Sequence, residues 1–238
     1  DSKQRLYGSD EWNQRITVFD KQGNLLDEWG EEGAAEGQLN RPSGLAFDAE
    51  EHLLVVDAYN HRIQKFTKEG KFLSTWGSYG SGPGQFNLPW GVAVNAGGQV
   101  YVTDWRNDRV QMFGPQGDFL LQWGSTGSGE GEFNRPVGIA VDRAGDVYVV
   151  DWHNHRVQIF DSGGGFQDQL TGDANLSTWA EQLLAANPLM VEQRRNAKDL
   201  SQEKGFWNPR GVKVDDQGRV FVVDSSRGRL QVYRKVAV

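Results

Sequence analysis

The stretch that decides the fold is residues 131–172, which read GEFNRPVGIAVDRAGDVYVVDWHNHRVQIFDSGGGFQDQLTG. It contains four short segments rich in apolar residues, GIAVD, VYVVD, RVQIFD and GFQDQL, and turn residues separate them. Runs of this length bounded by Gly, Asn and Asp are typical of β-strands. We name the segments strands a, b, c and d in chain order. Four strands in one repeat is the composition of a β-propeller blade.

The same pattern recurs along the chain every 47 residues. The spacing relates Trp29, Trp76 and Trp123, each followed by Gly, and the aspartates Asp10, Asp57, Asp104 and Asp151. The next equivalent, Asp224, follows after one repeat plus an insertion of 26 residues. The sequence therefore predicts an all-β propeller with five recognisable blade repeats, of which the first and the last are incomplete.

Composition excludes several classes of function. The 238 residues include no Cys, so disulfides, thiolate metal sites and cysteine nucleophiles are ruled out. A net charge of −7 argues against nucleic acid, because affinity for phosphate comes largely from clustered Lys and Arg. No stretch is apolar for long enough to cross a bilayer. The compartment stays open, and we favour an extracytoplasmic or secreted bacterial location.

Residues 133–160, FNRPVGIAVDRAGDVYVVDWHNHRVQIF, resemble an NHL repeat, which is named after an Asn-His-Leu type of tripeptide in the loop between strands b and c. This chain has the tripeptides Asn60-His61-Arg62, Asn107-Asp108-Arg109 and Asn154-His155-Arg156. The resemblance covers almost the whole chain outside the insertion. It implies a single propeller domain over residues 1–238, commonly with six blades.

The repeats also suggest a piece of a longer protein. Asp1 lies nine residues before Asp10, where strand a of the first unit should already have ended, and the C-terminus follows a strand c. The units hold three, twelve and three strands, which is 18 against the 24 of six complete blades. Because propellers usually close their open sheet edges, we expect truncation at the N-terminus.

Features that recur in every blade are candidates for scaffold, and features that vary are candidates for function. The recurrent Asp stands five residues before an Arg in each unit, as Asp57 does before Arg62. Buried charges need partners, so we interpret these residues as scaffold. We predict equivalent contacts for Asp57, Asp104 and Asp151 in successive blades.

The b-to-c loops and the linkers from strand d to the next strand a should leave the sheets at the same end, which we call the rim. Variable positions there carry aromatic and Arg side chains, the usual anchors of recognition surfaces. The predicted binding residues are Tyr59, Trp90, Trp105, Arg106, Trp152, His153 and Arg210. We expect one patch at the channel mouth. The alternative is that these aromatic rings only pack on neighbouring loops.

Residues 173–204 interrupt a linker on this rim and are predicted to form a helical hairpin. Thr178 and Glu181 make a capping box that starts one helix. Asn187-Pro188 ends it and opens a second helix, which runs towards Leu200. The hairpin could be a lid, a partner-docking element or a structural cap.

The leading functional hypothesis is a non-catalytic recognition scaffold that binds a protein, a peptide or a glycan on the rim without a cofactor. The alternative is a metal-dependent hydrolase or lyase at the channel mouth, with Asp151, His153 and His155 holding a divalent ion. The resemblance supports this alternative, because the lyase that completes peptide amidation has a metal site on a related propeller. His61 occupies the position equivalent to His155, which favours a repeat feature instead.

Nucleic acid is a third candidate partner, because some animal NHL domains bind RNA through a basic rim. The acidic charge of this chain argues against it. The arginines also mostly occupy the recurrent loop position that we assign to the scaffold.

Overall fold

Each 47-residue repeat folds into an antiparallel sheet, and the sheets are the blades of a propeller. The computed structural model describes residues 1–174, 178–196 and 201–235. These residues form 18 strands in five sheets, three with four strands and two with three. The predicted all-β propeller with incomplete first and last blades is confirmed. The sixth blade that the resemblance implies stays a prediction.

The strands of the five blades follow one another in chain order. The first blade comprises β1 (Leu6–Asp10), β2 (Arg15–Phe19) and β3 (Leu25–Trp29), which correspond to strands b, c and d. The second comprises β4 (Pro42–Phe47), β5 (Leu53–Asp57), β6 (Arg62–Phe66) and β7 (Phe72–Trp76). The third comprises β8 (Pro89–Val94), β9 (Val100–Asp104), β10 (Arg109–Phe113) and β11 (Phe119–Trp123). The fourth comprises β12 (Pro136–Val141), β13 (Val147–Asp151), β14 (Arg156–Phe160) and β15 (Phe166–Leu170). The fifth comprises β16 (Pro209–Val214), β17 (Arg219–Asp224) and β18 (Arg229–Arg234).

Strand a is the innermost strand of each blade that has one. Within the complete blades the order runs a, b, c, d, as in β4-β5-β6-β7. The a strands β4, β8, β12 and β16 each contact the next, and β1 contacts β4. Together they surround a central cavity of about 440 Å³. The predicted radial arrangement around one axis is therefore confirmed.

An apolar cluster fills the gap between each pair of successive blades. Strand b is buried along its whole length in the second, third and fourth blades, as its continuous apolar run predicts. The apolar run at residues 220–223 predicts the same burial for strand b of the fifth blade, and this prediction is wrong at Val223, which is 44% exposed. The physical reason is that, in the described part of the chain, no further blade covers that face of β17.

Glycines allow the inner strands to approach closely. Each a strand carries a Pro-x-Gly sequence, and its glycines are Gly44, Gly91, Gly138 and Gly211. A Cβ on Gly91 would lie 2.2 Å from the carbonyl oxygen of Val137 in the next blade. Corresponding Cβ atoms on Gly44 and Gly138 would lie 2.6 and 2.7 Å from the next blade's carbonyl oxygen. The absence of a side chain therefore sets the spacing of the blades around the axis.

Hydroxyl groups satisfy the inner carbonyls at these contacts. Ser9 Oγ donates to the Ser43 carbonyl at 2.6 Å, and Ser43 Oγ donates to the Trp90 carbonyl at 2.8 Å. Thr103 Oγ1 donates to the Val137 carbonyl at 2.7 Å. Since unpaired buried carbonyls are costly, these bonds stabilise the wall of the channel.

The recurrent aspartate joins strand b to the preceding linker. Asp57 is fully buried, and its Oδ1 accepts the backbone N–H of Asn40 at 2.6 Å. Its Oδ2 accepts hydrogen bonds from Asn60 Nδ2, Arg62 Nε and Gln64 Nε2 at 2.9, 2.7 and 3.0 Å. The guanidinium of Arg62 also donates to three linker carbonyls, those of residues 34, 35 and 38.

The same contacts recur in the next two blades. Asp104 and Asp151 each accept bonds from a linker N–H, an Asn, an Arg and a Gln at equivalent positions. Burial raises the pKa of both carboxyls, while the Asn and Arg hydrogen bonds oppose the rise. The predicted equivalence of Asp57, Asp104 and Asp151 is confirmed. Asp10 differs, because its carboxylate bonds only within its own loop, to Trp12 and Asn13, and lies 3.7 Å from Arg15.

The insertion is helical. It contains α1 (Thr178–Ala185), α2 (Pro188–Asn196) and the short α3 (Ser201–Lys204), which was not expected. The predicted starts at Thr178 and Pro188 are confirmed, and Asn187 Oδ1 accepts the N–H of Met190 at 3.3 Å as the cap of α2. Leu200 lies outside the described residues. In the part of the chain described, no helix has the length and apolar character needed to span a membrane.

We expect Gly91→Ala to destabilise the protein by at least about 2 kcal/mol, because the added Cβ overlaps backbone that cannot move without separating two blades. Gly211→Ala is the matched control. Its Cβ would meet only the Val223 side chain, at 3.3 Å, so a change within about 1 kcal/mol is expected. Urea unfolding of both variants measures this. Equal losses would show that the close inner approach does not limit blade spacing.

We expect Asp104→Ala to cost about 3–5 kcal/mol, because it leaves the buried Arg109 guanidinium without its carboxylate. The same substitution at Asp10, whose carboxylate is 28% exposed and bonded only within its own loop, should cost much less. Thermal and urea unfolding of the two variants tests the assignment. A similar small cost at both positions would contradict a structural role for the Asp104 network.

Candidate functional site

The b-to-c loops and the linkers meet at the rim through a repeated backbone bond. The N–H of Tyr59 donates to the Asn40 carbonyl at 3.1 Å. Arg106 and His153 make the same bond to the linker of their own blade, at 3.0 and 3.1 Å. Because the backbone fixes both segments, the side chains at these positions can change from blade to blade without altering the loop. The predicted shared rim is confirmed.

A second repeated contact joins each loop to the linker of the next blade. His61 Nδ1 accepts the backbone N–H of Leu88 at 3.1 Å, and His155 Nδ1 accepts that of Asn208 at 3.1 Å. At the equivalent position, Asp108 Oδ1 accepts the N–H of Arg135 at 2.8 Å. Gln14 does the same for Arg41. Three different residue types, at four equivalent positions, therefore perform one structural role.

This contact fixes the charge state of His61. An imidazole nitrogen that accepts a backbone N–H must be unprotonated. Burial lowers the pKa of His61, while the Asp104 and Asp57 carboxylates act in the opposite direction. The ring of His61 also packs against Tyr79, with 4.9 Å between the ring centroids. Neutral His61 thus holds Leu88, which lies in the wall of the mouth.

A concave pocket of about 250 Å³ opens at the channel mouth. Its lining residues are Glu11, Arg41, Ala58, Tyr59, Leu88, Trp90, Trp105, Val137, Trp152 and Arg210. Five of the seven predicted binding residues lie together there: Tyr59, Trp90, Trp105, Trp152 and Arg210. The other two are adjacent, since Arg106 lies over the ring of Trp105 at 5.4 Å and His153 contacts Trp152 at 4.2 Å.

The pocket continues into the central cavity. Both are lined by Glu11, Trp90, Val137 and Arg210. The last three occupy the middle position of Pro-x-Gly in successive blades, where the inner strand begins. The variable residue of this motif therefore determines what side chain meets a ligand that enters the channel.

Guanidinium groups stack on the aromatic rings around the mouth. Arg41 lies between Trp12 and Tyr59, at 5.0 and 4.7 Å from the ring centroids. Arg210 lies 5.2 Å from the ring of Trp152. Such contacts contribute about 0.5–1 kcal/mol at exposed sites, and they hold the flat guanidinium in one orientation.

Trp105 carries two of these contacts. Arg106 of its own loop and Arg135 of the next linker lie 5.4 and 5.0 Å from its ring.

Arg41, Arg135 and Glu11 were missed by the sequence analysis. Arg41 and Arg135 precede the Pro of Pro-x-Gly, where the other blades have Leu88 and Asn208, so this position is as variable as those selected. Comparison among the repeats could have found it.

The residues of the metal alternative do not converge. The Asp151 carboxylate is fully buried and bonded to Asn154, Arg156 and Gln158, and His155 Nδ1 accepts the Asn208 N–H. Asp151, His153 and His155 are not among the described residues whose ligand atoms lie within 4.8 Å of one another. Their geometry does not fit a three-ligand site.

One other cluster has suitable ligand types, at the opposite end of the second blade. Asp48, Glu50 and His52 bring their ligand atoms within 4.8 Å. Lys65 Nζ lies 2.6 Å from Asp48 Oδ2, and His52 Nδ1 lies 3.2 Å from the same oxygen. Burial opposes ionisation of Asp48, but the bonds from Lys65 and His52 outweigh it and lower the pKa. An ammonium group thus already occupies the place beside this carboxylate.

The family model of the NHL repeat matches residues 39–66, 86–113, 133–160 and 206–233. Each match begins in the linker and ends in strand c, so it contains the recurrent aspartate together with the linker N–H and the Arg that bond it. No curated protein matches the sequence.

Solved structures show the same fold at low identity. The chain is similar to a catalytically inactive histidine-to-alanine variant of virginiamycin B lyase from Staphylococcus aureus with quinupristin, at 12% identity and TM-score 0.58, over 98% of this chain and 67% of that one. A streptogramin B lyase is similar at 11% identity and TM-score 0.58, over 100% and 67%. A protein of unknown function from Bacteroides thetaiotaomicron VPI-5482 is similar at 20% identity and TM-score 0.64, over 97% and 56%.

We expect His61→Asn to reduce the acid sensitivity of folding, because an amide oxygen accepts the Leu88 N–H at any pH. The pKa of His61 is lower in the folded state than its unfolded value of about 6.5. Its contribution is therefore complete above that value and is lost as the pH falls. Between about pH 7.5 and about pH 5.5, the wild type should lose more unfolding free energy than the variant. Urea unfolding at both pH values tests this, and parallel losses would contradict it.

Proposed function

Because the chain belongs to the NHL-repeat β-propeller family, we propose that it is a non-catalytic recognition module that binds a protein, a peptide or a glycan at the channel mouth. Fold membership alone does not determine function, so the proposal depends on the site. The single observation that carries it is the pocket in which Tyr59, Trp90, Trp105, Trp152 and Arg210 converge.

The mouth side chains take no part in the repeated hydrogen bonds of the scaffold, although Trp90, Trp105 and Trp152 pack against the apolar cluster between the fourth and fifth blades. The repeated hydrogen bonds engage the aspartate network and the acceptors at positions 14, 61, 108 and 155, whereas the loop positions at the mouth differ in residue type among the blades. Blade two has Ala58 where blades three and four have Trp105 and Trp152. The scaffold thus tolerates a small residue there, which supports a binding role for the two tryptophans.

The chemistry of the mouth also supports recognition rather than catalysis. The candidate acid, base and metal ligands Asp151 and His155 are engaged in hydrogen bonds that their repeat equivalents also make. What the pocket offers instead is apolar surface with a few charged groups, the composition of a binding site. We propose that this chain shares its fold with the structural neighbours described as lyases but does not share their catalytic activity.

We expect the double variant Trp105→Ala, Trp152→Ala to lose binding by at least about tenfold, because aromatic anchors in concave sites dominate association energy. Arrays of peptides and of oligosaccharides, probed with wild type and variant in parallel, identify the ligands that depend on the mouth. Leu120→Ala, at a 48% exposed outer strand position, is the control that should leave binding unchanged.

The unfolding free energy of the same variants separates binding from folding. Because Ala occupies the equivalent position in the second blade, we expect the double variant to remain folded, with a loss of about 2–3 kcal/mol at most. Array binding that is identical in wild type and variant would contradict the proposed site. Collapse of the fold would instead assign the tryptophans to the scaffold.

A further inference from the structure

Four arginines at the mouth lack a carboxylate partner. Arg41, Arg106, Arg135 and Arg210 stack on aromatic rings, and in the described residues none of them lies within 4 Å of a carboxylate oxygen. The carboxylate of Glu11 lines the same pocket, but in the described residues it forms no ion pair with any of the four groups. The mouth is therefore a local positive region on a chain of net charge −7.

The scaffold arginines show the contrast. Arg62, Arg109, Arg156 and Arg229 each bond a buried aspartate and several linker carbonyls. The charge and the N–H donors of these arginines are therefore engaged by groups within the fold. Within the described part of the chain, the guanidinium groups of the mouth arginines lie over ring faces and make one hydrogen bond, from Arg41 to the Tyr59 hydroxyl at 3.3 Å. Their N–H groups are left for a ligand.

On the basis of the proposed function, we infer that the ligand is an acidic peptide segment with one apolar side chain. A guanidinium held flat by a ring is preorganised for two parallel bonds to a carboxylate. Arg41 and Arg210 line the pocket itself, so a carboxylate bound to them lies beside its apolar walls. Leu88, Trp90 and Val137 provide those walls for a side chain that points towards the channel.

The shape of the site favours a peptide over other anions. The four guanidinium groups surround one mouth, whereas a nucleic acid strand needs positive charge along an extended groove. A neutral glycan would leave these groups without bonds when it covers them, which is costly. Since the rest of the chain is acidic, an acidic peptide is repelled elsewhere and directed to the mouth.

The test uses defined probes and fluorescence anisotropy. A labelled Gly-Ser peptide that carries several Glu residues around one Phe is compared with two relatives, one with Gln in place of every Glu and one with Ala in place of Phe. Trigalacturonate and oligouridylate are tested as competitors. We expect the acidic Phe peptide to bind at least about tenfold more tightly than either relative, and to weaken as salt is raised.

The double variant Arg41→Gln, Arg210→Gln should lose at least about tenfold in affinity for the acidic peptide. Arg143→Gln is the matched control, since Arg143 lies in an a-to-b turn, is 75% exposed and pairs with Asp216. It should bind as the wild type does. Thermal unfolding of both variants should be close to that of the wild type, because exposed cation–π contacts contribute little.

The outcomes separate this inference from the proposed function. If the Gln peptide binds as well as the acidic one, and binding still falls in Trp105→Ala, Trp152→Ala, the mouth is a recognition site and the acidic ligand is wrong. Tighter binding of trigalacturonate or oligouridylate, or no binding of any probe, also overturns the acidic peptide. Peptide binding that ignores the tryptophan variant overturns the proposed site itself.

Discussion

The buried aspartate at the end of strand b is the contact on which the other features of the blade depend. One carboxylate oxygen of Asp57 accepts a hydrogen bond from a linker N–H. The other oxygen accepts hydrogen bonds from the side chains of Asn60, Arg62 and Gln64. The guanidinium of Arg62 then fixes three linker carbonyls. A buried carboxylate is costly unless each lone pair is satisfied, so the network is either complete or strongly destabilising. This is why the same residues recur at the same spacing.

Once this network fixes loop and linker, the side chains that point away from it are free to vary. The rim then contains two sets of variable positions, which differ in the side chains that they require. Positions 14, 61, 108 and 155 need only an acceptor atom, which Gln, His and Asp all supply. The mouth positions need neither an acceptor nor a particular volume, and there Ala58, Trp105 and Trp152 replace one another. Variation among the blades therefore indicates a functional residue at the mouth positions but not at the acceptor positions.

Much of the fold could be predicted from the sequence because the strand pattern and the turn glycines repeat at one interval. The error at Val223 arose because burial depends on the next blade, which periodicity within one strand does not reveal. The site was predicted in part. Tyr59, Trp90, Trp105, Trp152 and Arg210 were selected because they vary, but Arg41 and Arg135 were overlooked because they precede a Pro in a motif that looked purely structural.

The arginines also show why net charge is a weak guide to a binding surface. The buried aspartates and their scaffold arginines cancel each other within the sum of −7, so the excess negative charge comes from other acidic residues along the chain. What a ligand meets at the mouth is set by which of the remaining charges lie there. Around the channel that remainder is Arg41, Arg106, Arg135 and Arg210 against Glu11. An acidic chain therefore presents a basic mouth, and only the pairing of individual charges in the structure makes this visible.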